Sequence, residues 1–81
     1  VNDAKAIKIS DNGIIYTGGI NEFGFFNLDT TIKEDEKPNK NLIYYSLKKY
    51  IDSSIIFGEI NEIEISGKNV YFLSDNYIFI W

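Results

Sequence analysis

A short run of residues occurs twice in this chain. Ala6-Ile7-Lys8-Ile9-Ser10 returns as Glu62-Ile63-Glu64-Ile65-Ser66, with 56 positions separating Ile7 from Ile63 and Ile9 from Ile65. Both runs alternate in polarity, the period-2 pattern of a strand with one apolar face. Each is followed by residues that tolerate a tight turn, Asp11-Asn12-Gly13 in the first case and Gly67-Lys68-Asn69 in the second. A second apolar run comes next, Ile14-Ile15-Tyr16-Thr17 or Val70-Tyr71-Phe72-Leu73. A unit that recurs at this spacing cannot bury its apolar faces alone and must stack on a neighbour.

The rest of the chain fits the same scheme. Gly18-Gly19-Ile20-Asn21 is expected to break the second strand, and Glu22-Phe23-Gly24-Phe25-Phe26-Asn27-Leu28 reads as a third. The polar stretch 29–41, with the charge run Lys33-Glu34-Asp35-Glu36-Lys37 and Pro38, reads as a solvated loop. It lacks the Asp-x-Asp spacing that wraps calcium. Leu42-Ile43-Tyr44-Tyr45 is a fourth strand. Ser46 is placed to cap a short helical turn over Leu47–Ile51, and no other helix is expected. Ile55-Ile56-Phe57 is apolar and ends at Gly58. Ser74-Asp75-Asn76 is a further turn, leading into a strand over Tyr77–Trp81.

The expected fold is therefore all-β. It consists of about two four-stranded antiparallel blades of a β-propeller: residues 1–46 as the first blade, 47–59 as a connection and 60–81 as an incomplete second blade. Strands apolar on both faces, such as Val70 and Phe72 against Tyr71 and Leu73, favour blades stacked about an axis. The alternative is a small β-sandwich. Ile7, Ile9, Ile15, Ile63, Ile65, Val70 and Phe72 share the expected in-facing phase and are the predicted core.

Composition narrows the chemistry. The 81 residues contain no Cys and no His, so thiolate and imidazole ligands and the commonest general base are missing. The net charge is −4 and every basic residue is Lys. Neither nucleic acid nor an anionic membrane surface suits such a chain. No apolar run reaches the roughly 20 residues of a membrane helix, so direct membrane insertion is not expected. Glu59, Glu62 and Glu64 form the densest carboxylate group. Paired carboxylates can cleave glycosides, yet Glu62 and Glu64 are the polar half of one alternating strand. The Ser residues have no base at a recognisable spacing, and Gly18-Gly19 lacks the spacing of a phosphate loop. No catalytic, metal or cofactor site is assigned, and no particular residue is assigned to a ligand. The chain contains no Met, which leads to the expectation that it is a piece of a longer protein.

Four segments, Ile15-Tyr16-Thr17-Gly18-Gly19, Glu22-Phe23-Gly24-Phe25-Phe26, Tyr45-Ser46-Leu47 and Val70-Tyr71-Phe72, resemble the repeats of two-component regulator propellers. The Glu-Phe-Gly-aromatic variant looks like the sensor regions of bacterial regulators that also carry a triple-tyrosine domain. The second unit departs from the pattern, with Leu73-Ser74 in place of Gly-Gly and no Glu-Phe-Gly after Asn76. The resemblance implies a non-catalytic, extracytoplasmic (periplasmic) input segment of a signal-transduction protein, recognising a small or polymeric ligand such as a glycan. Because two incomplete units leave apolar faces and a terminal edge open, the expected partners are the remaining blades of the parent propeller, or further copies of the chain joined at the Tyr77–Trp81 edge. The alternative is a self-contained β-domain acting as a structural or protein-interaction module.

Overall fold

Seven strands form two antiparallel sheets in the computed structural model, which describes residues 4–28 and 42–81. The first sheet is a meander of β1 (Ala6–Ile9), β2 (Ile15–Gly19), β3 (Glu22–Leu28) and β4 (Leu42–Ser46). A single 3-10 turn, Lys48–Tyr50, opens the connection. The second sheet is a meander of β5 (Glu62–Ser66), β6 (Asn69–Leu73) and β7 (Ile78–Ile80). The all-β fold is as the sequence implied, and the only helical turn among the described residues falls where Ser46 was placed to start it. Ser46 Oγ accepts the Lys48 N–H at 3.3 Å. The expected charged loop over 29–41 lies outside the described residues.

One strand boundary differs from expectation. Gly18 and Gly19 do not break β2 but belong to it, and the turn is made by Ile20-Asn21. Asn21 takes a left-handed conformation, φ 54°, which Asn tolerates better than most residues. Its backbone N–H donates to Gly58 O at 2.6 Å and its Oδ1 accepts the Phe57 N–H at 3.1 Å. The turn thus ties the connection back onto the first sheet.

The two sheets repeat one another pair by pair. Ile7 pairs with Thr17 as Ile63 pairs with Phe72, and Ile9 with Ile15 as Ile65 with Val70. Gly18 pairs with Phe23 as Leu73 pairs with Ile78. The Lys5 N–H donates to Gly18 O and the Asn61 N–H to Leu73 O, each at 2.7 Å. The first turn is one residue longer than the second, because the Ile9–Ile15 pair encloses five residues and the Ile65–Val70 pair four. A shift of one residue exchanges the faces of a strand, so the correct equivalences are Tyr16 with Tyr71 and Thr17 with Phe72.

These equivalences show how the sheets stack. Directly paired residues share a face. Ala6, Lys8, Tyr16, Gly18, Phe23 and Phe25 therefore form one face of the first sheet, which packs against the second. Ile63, Ile65, Val70, Phe72 and Phe79 form the face that receives it. The two faces in contact are not equivalents of each other. The sheets follow one another head to tail, each turning the same side toward the next.

The core predicted for the second unit is borne out. Ile63 and Val70 are buried, Phe72 is fully so, and Ile65 packs against them. The core predicted for the first unit is corrected: Ile7 and Ile9 are 61% and 63% exposed, and Ile15 is half-buried. They occupy the same phase as Ile63, Ile65 and Val70, but in the first sheet that phase faces away from the second. The buried large apolar residues of the first sheet are Tyr16 and Phe23 instead, and the connection adds Leu47, Phe57 and Ile60. Aromatic rings dominate the interface. Phe23 lies 4.6 Å from Phe72, 5.1 Å from Phe79 and 5.5 Å from Phe57 between ring centres, distances at which aromatic pairs attract beyond their buried area.

Candidate functional site

The two hairpin turns that end β1 and β5 lie side by side and enclose an open cleft of about 770 Å³. Each turn is held rigid by its own sequence. In the first, the Ser10 N–H donates to Ile14 O at 2.9 Å and Ser10 O accepts the Gly13 N–H at 3.0 Å. Ser10 Oγ also accepts the Ile14 N–H at 3.1 Å and donates to the Asn12 side chain. Gly13 closes the turn at φ 87°, where a side chain would be strained. In the second, Gly67 at φ 60° and Lys68 form a two-residue loop between the paired Ser66 and Asn69, with Gly at the position a type II′ turn requires.

The cleft has a charged rim and an apolar floor. Lys8, Asp11, Glu64 and Lys68 stand on the rim, while Tyr16, Ile65 and Val70 lie beneath. The two cations balance the two carboxylates, so the rim has no net field to gather a strongly charged ligand. Glu62 and Glu64 project from the same face of β5, as the alternation required. The hydrogen bond and the charge of Glu64 raise the Glu62 carboxyl above its ordinary value, against which Lys8 acts. Glu59 does not join them on the strand; its backbone bridges Ile20 in the connection. The arrangement offers donors and acceptors around an apolar patch.

A second polar cluster lies on the opposite face of the first sheet. Glu22 Oε2 accepts from Tyr44 Oη at 2.6 Å and from Ser46 Oγ at 2.7 Å. Gly24 makes room for it, since a Cβ there would overlap Tyr45 O and lie 2.7 Å from Tyr44 Oη. Burial, then the hydrogen bond and charge of Glu22, push the Tyr44 phenol above its ordinary 10.0. The cluster joins β3 and β4 and stands among Ile15, Thr17 and Phe26 of the same face. Sequence reasoning missed it, because 22 residues separate Glu22 from Tyr44 and nothing local links them.

No metal-sized group of three carboxylates occurs among the described residues, and among them no helix is long and apolar enough to cross a membrane. No protein-family model, curated protein or solved structure matches the chain.

Proposed function

We propose that this chain is a ligand-binding segment of a β-propeller, acting as the non-catalytic, extracytoplasmic input of a signal-transduction protein. The observation that carries the reading is the head-to-tail equivalence of the two sheets. A closed two-sheet sandwich turns polar residues outward. Here both outer faces expose isoleucines beside polar side chains. Ile7 and Ile9 stand on the first sheet, which also carries the Glu22–Tyr44–Ser46 cluster, and Ile78 and Ile80 on the second, which also carries Glu62 and Glu64. The four isoleucines are all more than half exposed. Meanders that repeat one orientation and expose large apolar residues on both outer faces suit blades around an axis. β1 and β5, the adjacent first strands of the two sheets, would line that axis. The resemblance of the Glu22–Phe26 and Ile15–Gly19 segments to regulator propeller repeats supports a sensory role.

In this reading the ligand enters the cleft between the turns. Its balanced rim and apolar floor suit a neutral polar molecule such as an oligosaccharide, whose hydroxyls can engage both signs of charge. Amide chemical-shift mapping with maltohexaose tests this. Shifts confined to residues 8–13 and 64–68 are expected. An unchanged spectrum at millimolar sugar would remove the cleft as a neutral-glycan site.

A further inference from the structure

The interface inside this chain is one example of a surface pair that the chain also leaves open at its two ends. The first sheet turns Tyr16, Phe23 and Phe25 toward the second; the second sheet turns the equivalent positions, Tyr71, Ile78 and Ile80, outward. The second sheet receives its neighbour on Ile63, Ile65, Val70 and Phe72; among the described residues no second sheet covers the equivalent face of the first, where Ile7 and Ile9 are exposed, Ile15 is half-buried and only Thr17 is buried. We infer that the outer face of the second sheet binds the outer face of the first sheet of another copy of this chain, giving a head-to-tail assembly. This inference rests on the blade reading above.

Two pairs of residues make a second copy the occupant of these faces. The first pair is complementary in size. Within the chain, Ile60 is fully buried on Gly18, where a Cβ would lie 2.6 Å from Ile60 Cβ. At the open interface Leu73 stands in the place of Gly18, and a large residue opposite it would not fit. The equivalent of Ile60 in the incoming copy is Ala4, because Lys5 and Asn61 bond alike to Gly18 and Leu73. Large on small becomes small on large, and the volume is kept. The second pair is complementary in charge. Lys8 and Glu64 line the same cleft within the chain, and they are each other's equivalents. Stacking a second copy places Glu64 where Lys8 stood and Lys8 where Glu64 stood, so one cation and one carboxylate again line the cleft between the sheets.

The contact is heterologous, with different faces on the two sides. Such contacts close into rings or run on as filaments. With two sheets in each copy and about four to eight blades in a closed propeller, a ring would hold two to four copies.

Light scattering on the 81-residue chain, with two single substitutions, decides the question. Ile9→Glu blocks the outer face of the first sheet and Ile80→Glu that of the second. Both side chains are largely exposed, and circular dichroism confirms that each variant keeps the fold. The wild-type chain is expected to assemble beyond the 9.3 kDa of one copy. Each variant alone should bind itself about tenfold or more weakly and run as a monomer where the wild type is assembled. Mixed in equal amounts, the two should form a capped heterodimer, since Ile9→Glu keeps one intact face and Ile80→Glu the other. A monomeric wild type would overturn the inference. So would variants that still self-associate, as pairing through the β7 edge would allow, or a mixture that stays monomeric. Ligand mapping made on the Ile80→Glu variant, whose substitution lies outside the cleft lining, keeps a failure of assembly distinct from a failure of the ligand reading.

Discussion

Ile60 seats its side chain directly on the backbone of Gly18, with no room between them for a methyl group. Ile60 belongs to the connection and Gly18 to the middle of the first sheet, so this contact sets how closely the two sheets approach. The Ile60 N–H also donates to Gly19 O at 3.0 Å, which fixes the register.

Gly18→Ala should therefore destabilise the chain by about 1–3 kcal/mol, the usual cost of overpacking. Combining it with Ile60→Val or Ile60→Ala should recover part of the loss. Urea denaturation of the singles and the double gives the coupling between the positions. Additive effects would show that the two do not meet.

Burial divides residues that the sequence puts in one class. Ile63→Ala and Phe72→Ala should each cost about 2–5 kcal/mol, since both side chains are enclosed. Ile7→Ala and Ile9→Ala should cost less than about 1 kcal/mol in the dilute chain, as at other exposed positions. Equal losses at all four would contradict the packing described.

The strands were legible because alternation and turn residues are local signals. Their pairing followed from the short turns. The repeat also reported correctly which residues share a phase: Ile7 and Ile9 do correspond to Ile63 and Ile65. It could not report that this phase is covered in one unit and open in the other, because that depends on which sheet stands next to it. The extra residue in the first turn shifted the second strand by one as well. Offset 56 carries Tyr16 onto Phe72, whereas the pairing matches Tyr16 with Tyr71. The Glu22–Tyr44–Ser46 cluster and the Gly18–Ile60 contact join residues far apart in the chain, where no periodicity reaches.

Asn21 tests the turn that holds the connection. Asn21→Ala loses the hydrogen bond from Phe57 and forces a Cβ residue with little left-handed tolerance into φ 54°. Asn21→Gly loses the same bond without the strain. The Ala variant should be less stable than the Gly variant by about 1 kcal/mol. Thermal melts of the two, side by side, measure it.

The Tyr44 phenol carries the alkaline limit of the fold. Its folded value lies above the ordinary 10.0, so the native state holds its proton where the unfolded chain has released it. By linkage this stability is complete below pH 10 and declines as pH rises through the folded value. Tyr44→Phe should remove that part of the decline and weaken the chain at neutral pH by leaving Glu22 with the Ser46 hydroxyl but without its phenol donor. Ultraviolet titration should find Tyr44 ionising above its ordinary 10.0; an unshifted Tyr44 would show that it is neither enclosed nor bonded to Glu22 as described.

The head-to-tail order of the sheets is tested most directly by proton distances to the Phe72 ring. Nuclear Overhauser spectra of the chain at low concentration should link Phe72 to Phe23 and Tyr16, whose ring centres lie 4.6 and 6.1 Å away, and should show no link from the methyls of Ile7 or Ile9. Cross-peaks from Ile7 or Ile9 to Phe72, with none from Phe23, would mean that the equivalent faces meet each other. The sheets would then form a closed sandwich, contradicting both the blade reading and the open faces.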